Sequence, residues 1–118
     1  MRSDQERLND IRAAVEQIEK YTVTGRSAFD GNGLIRSWVL HRLMIIGEAA
    51  RGLSAEFRAA HAEVEWWQMI AMRNFLIHAY FGVDPDEVWA TVERDVPVLK
   101  RAVATLIGAT GEAEATNG

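Results

Sequence analysis

No stretch of this chain alternates apolar and polar residues with the period of a strand. Its apolar residues recur at spacings of three and four, the period of a helix with one buried face. Leu8, Ile11, Val15 and Ile18 form such a stripe, and Arg7, Asp10, Arg12, Glu16, Glu19 and Lys20 take the wet face. The pattern predicts a helix over Asp4–Thr22 with Ser3 as its N-cap. Gly25–Gly33 holds three glycines and Asp30 and reads as a loop. A second helix is expected over Leu34–Arg51, apolar nearly all round, hence central in a bundle or at an oligomer interface. Its Gly47, Ala49 and Ala50 make a small patch where another helix can approach closely, and Gly52 suits the position after its end. Ser54 caps a short helix over Ala55–His61, and a fourth helix is expected over Val64–Ala79. Asp84-Pro85-Asp86-Glu87 opens the last helix with an N-cap Asp, a Pro at the first position and early acids. That helix carries Val88, Trp89, Val92, Val96, Leu99, Val103 and Leu106. Pro97 removes a backbone donor from its interior and should kink it near Glu93 and Arg94. The fold class expected is all-α: an up-and-down bundle of four main helices plus one short one. Residues 1–107 form its single domain, and 108–118 are expected to be a disordered tail.

A chain of 118 residues holds one domain, and 48 % hydrophobic with 25 % charged residues is ordinary for a globular protein. No apolar run is long enough for a membrane helix, and the charged start MRSDQERLND lacks the apolar core of a secretory signal. The expectation is a cytoplasmic protein. With no cysteine there is no thiolate nucleophile and no zinc–cysteine site. A net charge of −4 argues against a non-specific DNA coat but leaves room for a local basic site. Of the 13 basic residues 11 are Arg, which suits phosphate recognition, although a GC-rich genome gives the same bias.

The fourth helix is the unusual element. It is greasy on every side, yet Arg73, Asn74 and His78 interrupt it together. Asn74 and His78 are four residues apart and share a face, whereas Arg73 falls among Trp66, Ile70 and Ile77, about 140° from His78. An Arg in such surroundings needs an ion partner, of which Glu48 is one, or a route to water. His41, His61 and His78 have no ligand-pair spacing and no acidic cluster beside them, so no metal and no cofactor is expected. Asp30-Gly31-Asn32-Gly33 reads as a turn, since the downstream spacing of a calcium loop is missing. The four tryptophans read as core or interface.

The run Met72-Arg73-Asn74-Phe75-Leu76-Ile77-His78-Ala79-Tyr80 resembles the R-x4-H-x-Y motif of HepT-like toxins in the HEPN superfamily. Ile46-Gly47-Glu48-Ala49-Ala50 is similar to that family's I-G-E-A-A segment. The Trp ahead of the Arg, the Gly82-Val83-Asp84 turn with Val88-Trp89, and Val96-Pro97 also fit. The resemblance spans roughly Met1 to Ile107. It departs where relatives carry I-P-W, here Val64-Glu65-Trp66-Trp67. It implies a helical bundle that forms a homodimer, with two copies of the motif facing one cleft. It also implies a metal-independent endoribonuclease toxin. Its partner would be an MNT-type nucleotidyltransferase antitoxin, and its substrate RNA. Carried over, Arg73 and His78 are catalytic, Asn74 supports them, and Tyr80 is the residue that the antitoxin modifies with AMP.

The chemistry of these residue types is compatible. Cleaving RNA without a metal requires a base for the 2′-hydroxyl, an acid for the leaving 5′-oxygen and positive charge at the phosphorane. An imidazole can serve either proton step and a guanidinium the third. Each chain has one such His, so a dimer that joins two is sensible. Two other readings stand beside this one. A non-catalytic helical dimer that holds RNA or a nucleotidyltransferase tolerates buried or poorly placed Arg73 and His78. A purely structural subunit expects Arg73 ion-paired and closed off.

Overall fold

A computed structural model describes residues 2–79 and 82–117, with side-chain surroundings through residue 108. Its elements run α1 (Asp4–Thr22), α2 (Arg26–Gly31), α3 (Gly33–Gly52), α4 (Ala55–Ala60), α5 (Trp66–Ala79), α6 (Pro85–Ala90), a π-helical turn (Thr91–Asp95) and α7 (Val96–Asn117). No strand occurs among the described residues.

α1 starts where its capping residues say it should. The Ser3 hydroxyl accepts from the Glu6 amide, and the Glu6 carboxylate returns to the Ser3 amide, a reciprocal capping box. The stripe read from the sequence is the buried one: Leu8, Ile11, Val15 and Ile18 are each no more than 1 % exposed. α3 lies between α1 and α5, and α7 closes the other side of α1. One core cluster runs from Leu8 to Leu106 and joins all four long helices. No helix of the described residues is long and apolar enough to cross a membrane.

Three local features differ from the sequence reading. The expected loop after α1 contains a six-residue helix, α2, anchored by the buried Phe29, whose ring packs 5.2 Å from that of Trp89. Arg26 ties it to Asp86 at the start of α6. With a single buried residue, α2 offers no periodicity to read. α5 begins at Trp66 rather than Val64, because the Trp66 indole folds back and donates to the His61 carbonyl at 3.0 Å, closing the turn before it. α7 continues to Asn117, past Gly108 where a disordered tail is expected; its last buried residue described is Leu106.

The kink expected from Pro97 appears as the π turn. The Val96 amide donates to the Thr91 carbonyl, one residue further back than in an α-helix. Pro97 cannot donate, and its ring would crowd the carbonyl of Glu93. Widening the preceding turn removes that clash.

Candidate active site

α5 and α3 cross so tightly that the crossing residue has no side chain. A Cβ added to Gly47 would fall well inside the Arg73 Cβ and 2.6 Å from the Met69 carbonyl oxygen. The small patch anticipated on α3 is therefore the contact with α5. It sets Glu48, the next residue, beside the Arg73 side chain. The Glu48 carboxylate lies 2.9 Å from Arg73 Nη2.

A second bond turns the guanidinium along the helix. Arg73 Nη1 donates to Asn74 Oδ1 at 2.9 Å. By 100° steps Asn74 stands between Arg73 and His78, about 40° short of the latter. The long arginine side chain thus bends from the α3 seam toward the face that carries His78. Of its five N–H donors, three take no part in these two contacts. The Arg73 side chain keeps 21 % of its surface accessible and Glu48 keeps 52 %. The pair is reachable from water and worth at most about 1 kcal/mol of stability. The ion pairing that a structural subunit would require is present; closure is not.

The face of α5 bearing Asn74 and His78 is open. Both residues are exposed, and no hydrogen bond or ion pair engages His78 among the described residues. Trp67, 67 % exposed, and Phe75, 47 % exposed, flank it, with Ile77 nearby at 45 %. Of fourteen residues in α5 only Trp66 and Leu76 are fully buried. Tyr80 lies outside the described residues.

A profile described as "Ribonuclease HepT-like" matches residues 11–106. The chain belongs to the HepT-like ribonuclease family. Two relatives agree. A protein of Thermococcus cleftensis named "Probable ribonuclease HepT" is 40 % identical over 102 residues, which cover 84 % of this chain and 91 % of that one. A protein of Methanocaldococcus jannaschii, whose name likewise proposes an RNase, is 38 % identical over 97 residues, covering 81 % and 89 %. No solved structure gives a significant match.

In this HepT-like chain Arg73 and Asn74 are joined by a hydrogen bond, His78 stands exposed on the same helix about 140° round from Arg73, and the other candidate features lie elsewhere. A groove of about 680 Å³ opens between α5 and α7 over Leu43 and Ile46. Its rim carries Glu63, Glu65 and Asp95, so a phosphate chain would be repelled there. His41 sits on α3 and His61 after α4, and among the described residues no three His, Asp or Glu side chains converge. The sequence reading names Glu48 only as an ion partner. Its place in holding the guanidinium comes from the Gly47 crossing, and the I-G-E-A-A segment is the signal that carries it.

Proposed function

We propose that this chain is the toxin of a type II toxin–antitoxin pair, a cytoplasmic, metal-independent endoribonuclease that cleaves RNA with Arg73 and His78. The observation that carries this reading is the Arg73 guanidinium, held by Glu48 and Asn74 toward the open face of α5 on which His78 is exposed.

In the reaction an imidazole removes the 2′-hydroxyl proton, and the oxygen attacks the adjacent phosphorus. The 5′-oxygen leaves with a proton from a second acid. Products are a 2′,3′-cyclic phosphate and a 5′-hydroxyl. Arg73 stabilises the charge that gathers on the non-bridging oxygens, and Asn74 fixes the guanidinium for that contact. One chain brings a single His78, and the second comes from the partner of a homodimer. The exposed apolar side chains around His78 support that arrangement, because Trp67, Phe75 and Ile77 would be covered when two copies of α5 meet. Neutralisation is assigned to an MNT-type nucleotidyltransferase antitoxin that transfers AMP to Tyr80, two residues beyond His78. An AMP tethered there adds about one negative charge, offers Arg73 a phosphate oxygen and takes the place of RNA.

The competing reading is a non-catalytic helical dimer that holds RNA or a nucleotidyltransferase. The Glu48–Arg73 pair favours it, since it already neutralises the cation. Incubating purified protein with RNA in EDTA, beside Arg73→Ala and His78→Ala, separates the two. Cleavage that both variants lose supports the enzyme. RNA retained uncut by all three supports the binding module.

A further inference from the structure

A second basic cluster stands on the side of α3 that faces α1. The Arg42 guanidinium carbon lies 4.0 Å from the centroid of the Trp38 ring. The same indole meets the Tyr21 ring of α1 in an edge-type contact at 5.7 Å, and Lys20 Nζ sits 5.7 Å from the Tyr21 centroid. His41 lies one helical step away, its ring 6.4 Å from that of Trp38. Four side chains thus form a ladder, cation, ring, ring, cation, across the α1–α3 seam.

Among the described residues, Arg42, Lys20 and His41 take part in no salt bridge or hydrogen bond, and the buried Arg42 Nε and Trp38 Nε1 have no acceptor. From Gly33 to Gly47, α3 contains no carboxylate at all while carrying Arg36, His41 and Arg42. On α1, Glu16 stands one turn before Lys20 and Glu19 directly before it, and Glu19 is engaged with Lys100 at 3.1 Å. Such cations beside partly exposed rings are what a single strand of nucleic acid needs: charge for phosphates, and rings or guanidinium planes against which bases stack.

The α3 members of the ladder, Trp38 and Arg42, stand about 80° and 120° round the helix from Glu48, and His41 beside them bridges that turn. His41 and Glu48 are seven residues apart on α3, hence within about 20° of one another around the helix. From Arg42 to Glu48, the residue that holds Arg73, is about 9 Å along the axis.

We propose that Tyr21, Trp38, His41 and Arg42, with Lys20, form a secondary site that binds single-stranded RNA and positions the strand running away from Arg73. The inference rests on the ribonuclease reading for the identity of the ligand, but its test does not depend on cleavage. The outer face of Arg42 and the exposed part of Tyr21 take bases; Lys20 and the guanidinium edge take phosphates.

The test is the affinity of a twelve-nucleotide 2′-O-methyl RNA, which lacks the attacking hydroxyl and stays intact, measured by fluorescence anisotropy across a salt series. Arg42→Gln and Trp38→Leu should each weaken binding about tenfold. Arg42→Gln should also reduce the slope of log Kd against log salt by about 0.7, one phosphate contact on a single strand. Trp38→Phe, which keeps the packing against Tyr21, should retain most of the affinity, and Arg42→Lys should keep the slope. Cleavage of a dinucleotide, too short to reach the ladder, should be unchanged in all four. Wild-type affinity and slope in Arg42→Gln, or no RNA binding by the wild type, overturns the proposal. Lost dinucleotide cleavage with unaltered 12-mer binding also overturns it. Binding that depends on Trp38 and Arg42 in a protein that cuts nothing sustains this site and removes the ribonuclease reading.

Discussion

At Arg73, two neighbours divide one guanidinium between them, Glu48 across the helix seam and Asn74 along the helix. A lysine cannot copy this, because a single ammonium lacks the planar fork that meets both partners. Arg73→Lys should therefore fold normally and lose about 10²-fold or more in cleavage rate, the loss typical for one charge-stabilising donor. The comparison is a steady-state rate beside a thermal melt. Glu48→Gln should move the melting temperature by less than about 5 °C, because a pair this open to water adds little stability.

Among elements, the α3–α5 crossing positions the site. Gly47→Ala places a methyl group into the Arg73 Cβ and the Met69 backbone, so one helix must move. The cost should be about 1–3 kcal/mol, seen as a lower urea midpoint, with cleavage falling beyond what the unfolded fraction explains. Gly33→Ala, whose nearest neighbour would be the Arg36 guanidinium at 3.5 Å, is the control expected to leave both unchanged. At the other end of the bundle, the Asp84 carboxylate accepts from the Asp86 amide and caps α6. Asp84→Ala should cost about 1 kcal/mol.

These elements differ in how far the sequence discloses them. α1 is legible to the residue because cap, stripe and wet face agree. The π turn is legible as a kink because Pro97 lacks a donor wherever it stands. α2 is not, since it hangs on the packing of Phe29 against Trp89, sixty residues away. The site is legible in part. Arg73, Asn74 and His78 stand out against a greasy helix, but that same greasiness hides which side faces water. Trp66 and Trp67 are identical neighbours, yet one is 4 % and the other 67 % exposed. Trp66 packs against Phe57 and bonds the His61 carbonyl, contacts that helical spacing does not disclose.

For the whole molecule, α5 leaves more apolar surface in water than a small protein usually tolerates around an open polar pair. If a second copy covers it, sedimentation at micromolar concentration should give a dimer mass, and Trp67→Asp should shift the population toward monomer while retaining helical circular dichroism. Cleavage should then fall with the dimer fraction, since in the proposed dimer each cleft would draw a His78 from both chains. A wild type that sediments as a monomer and still cleaves would contradict this arrangement.

The central claim is that Arg73 and His78 cut RNA by themselves. Its most direct measurement follows a defined single-stranded RNA incubated with purified protein in excess EDTA, with the product ends identified by mass. The account predicts cleavage by the wild type leaving a 2′,3′-cyclic phosphate or its 3′-phosphate, and a loss of about 10²–10⁴-fold in His78→Ala with the fold intact. Cleavage that stops in EDTA and leaves a 3′-hydroxyl, or that persists at the wild-type rate in His78→Ala, would contradict it.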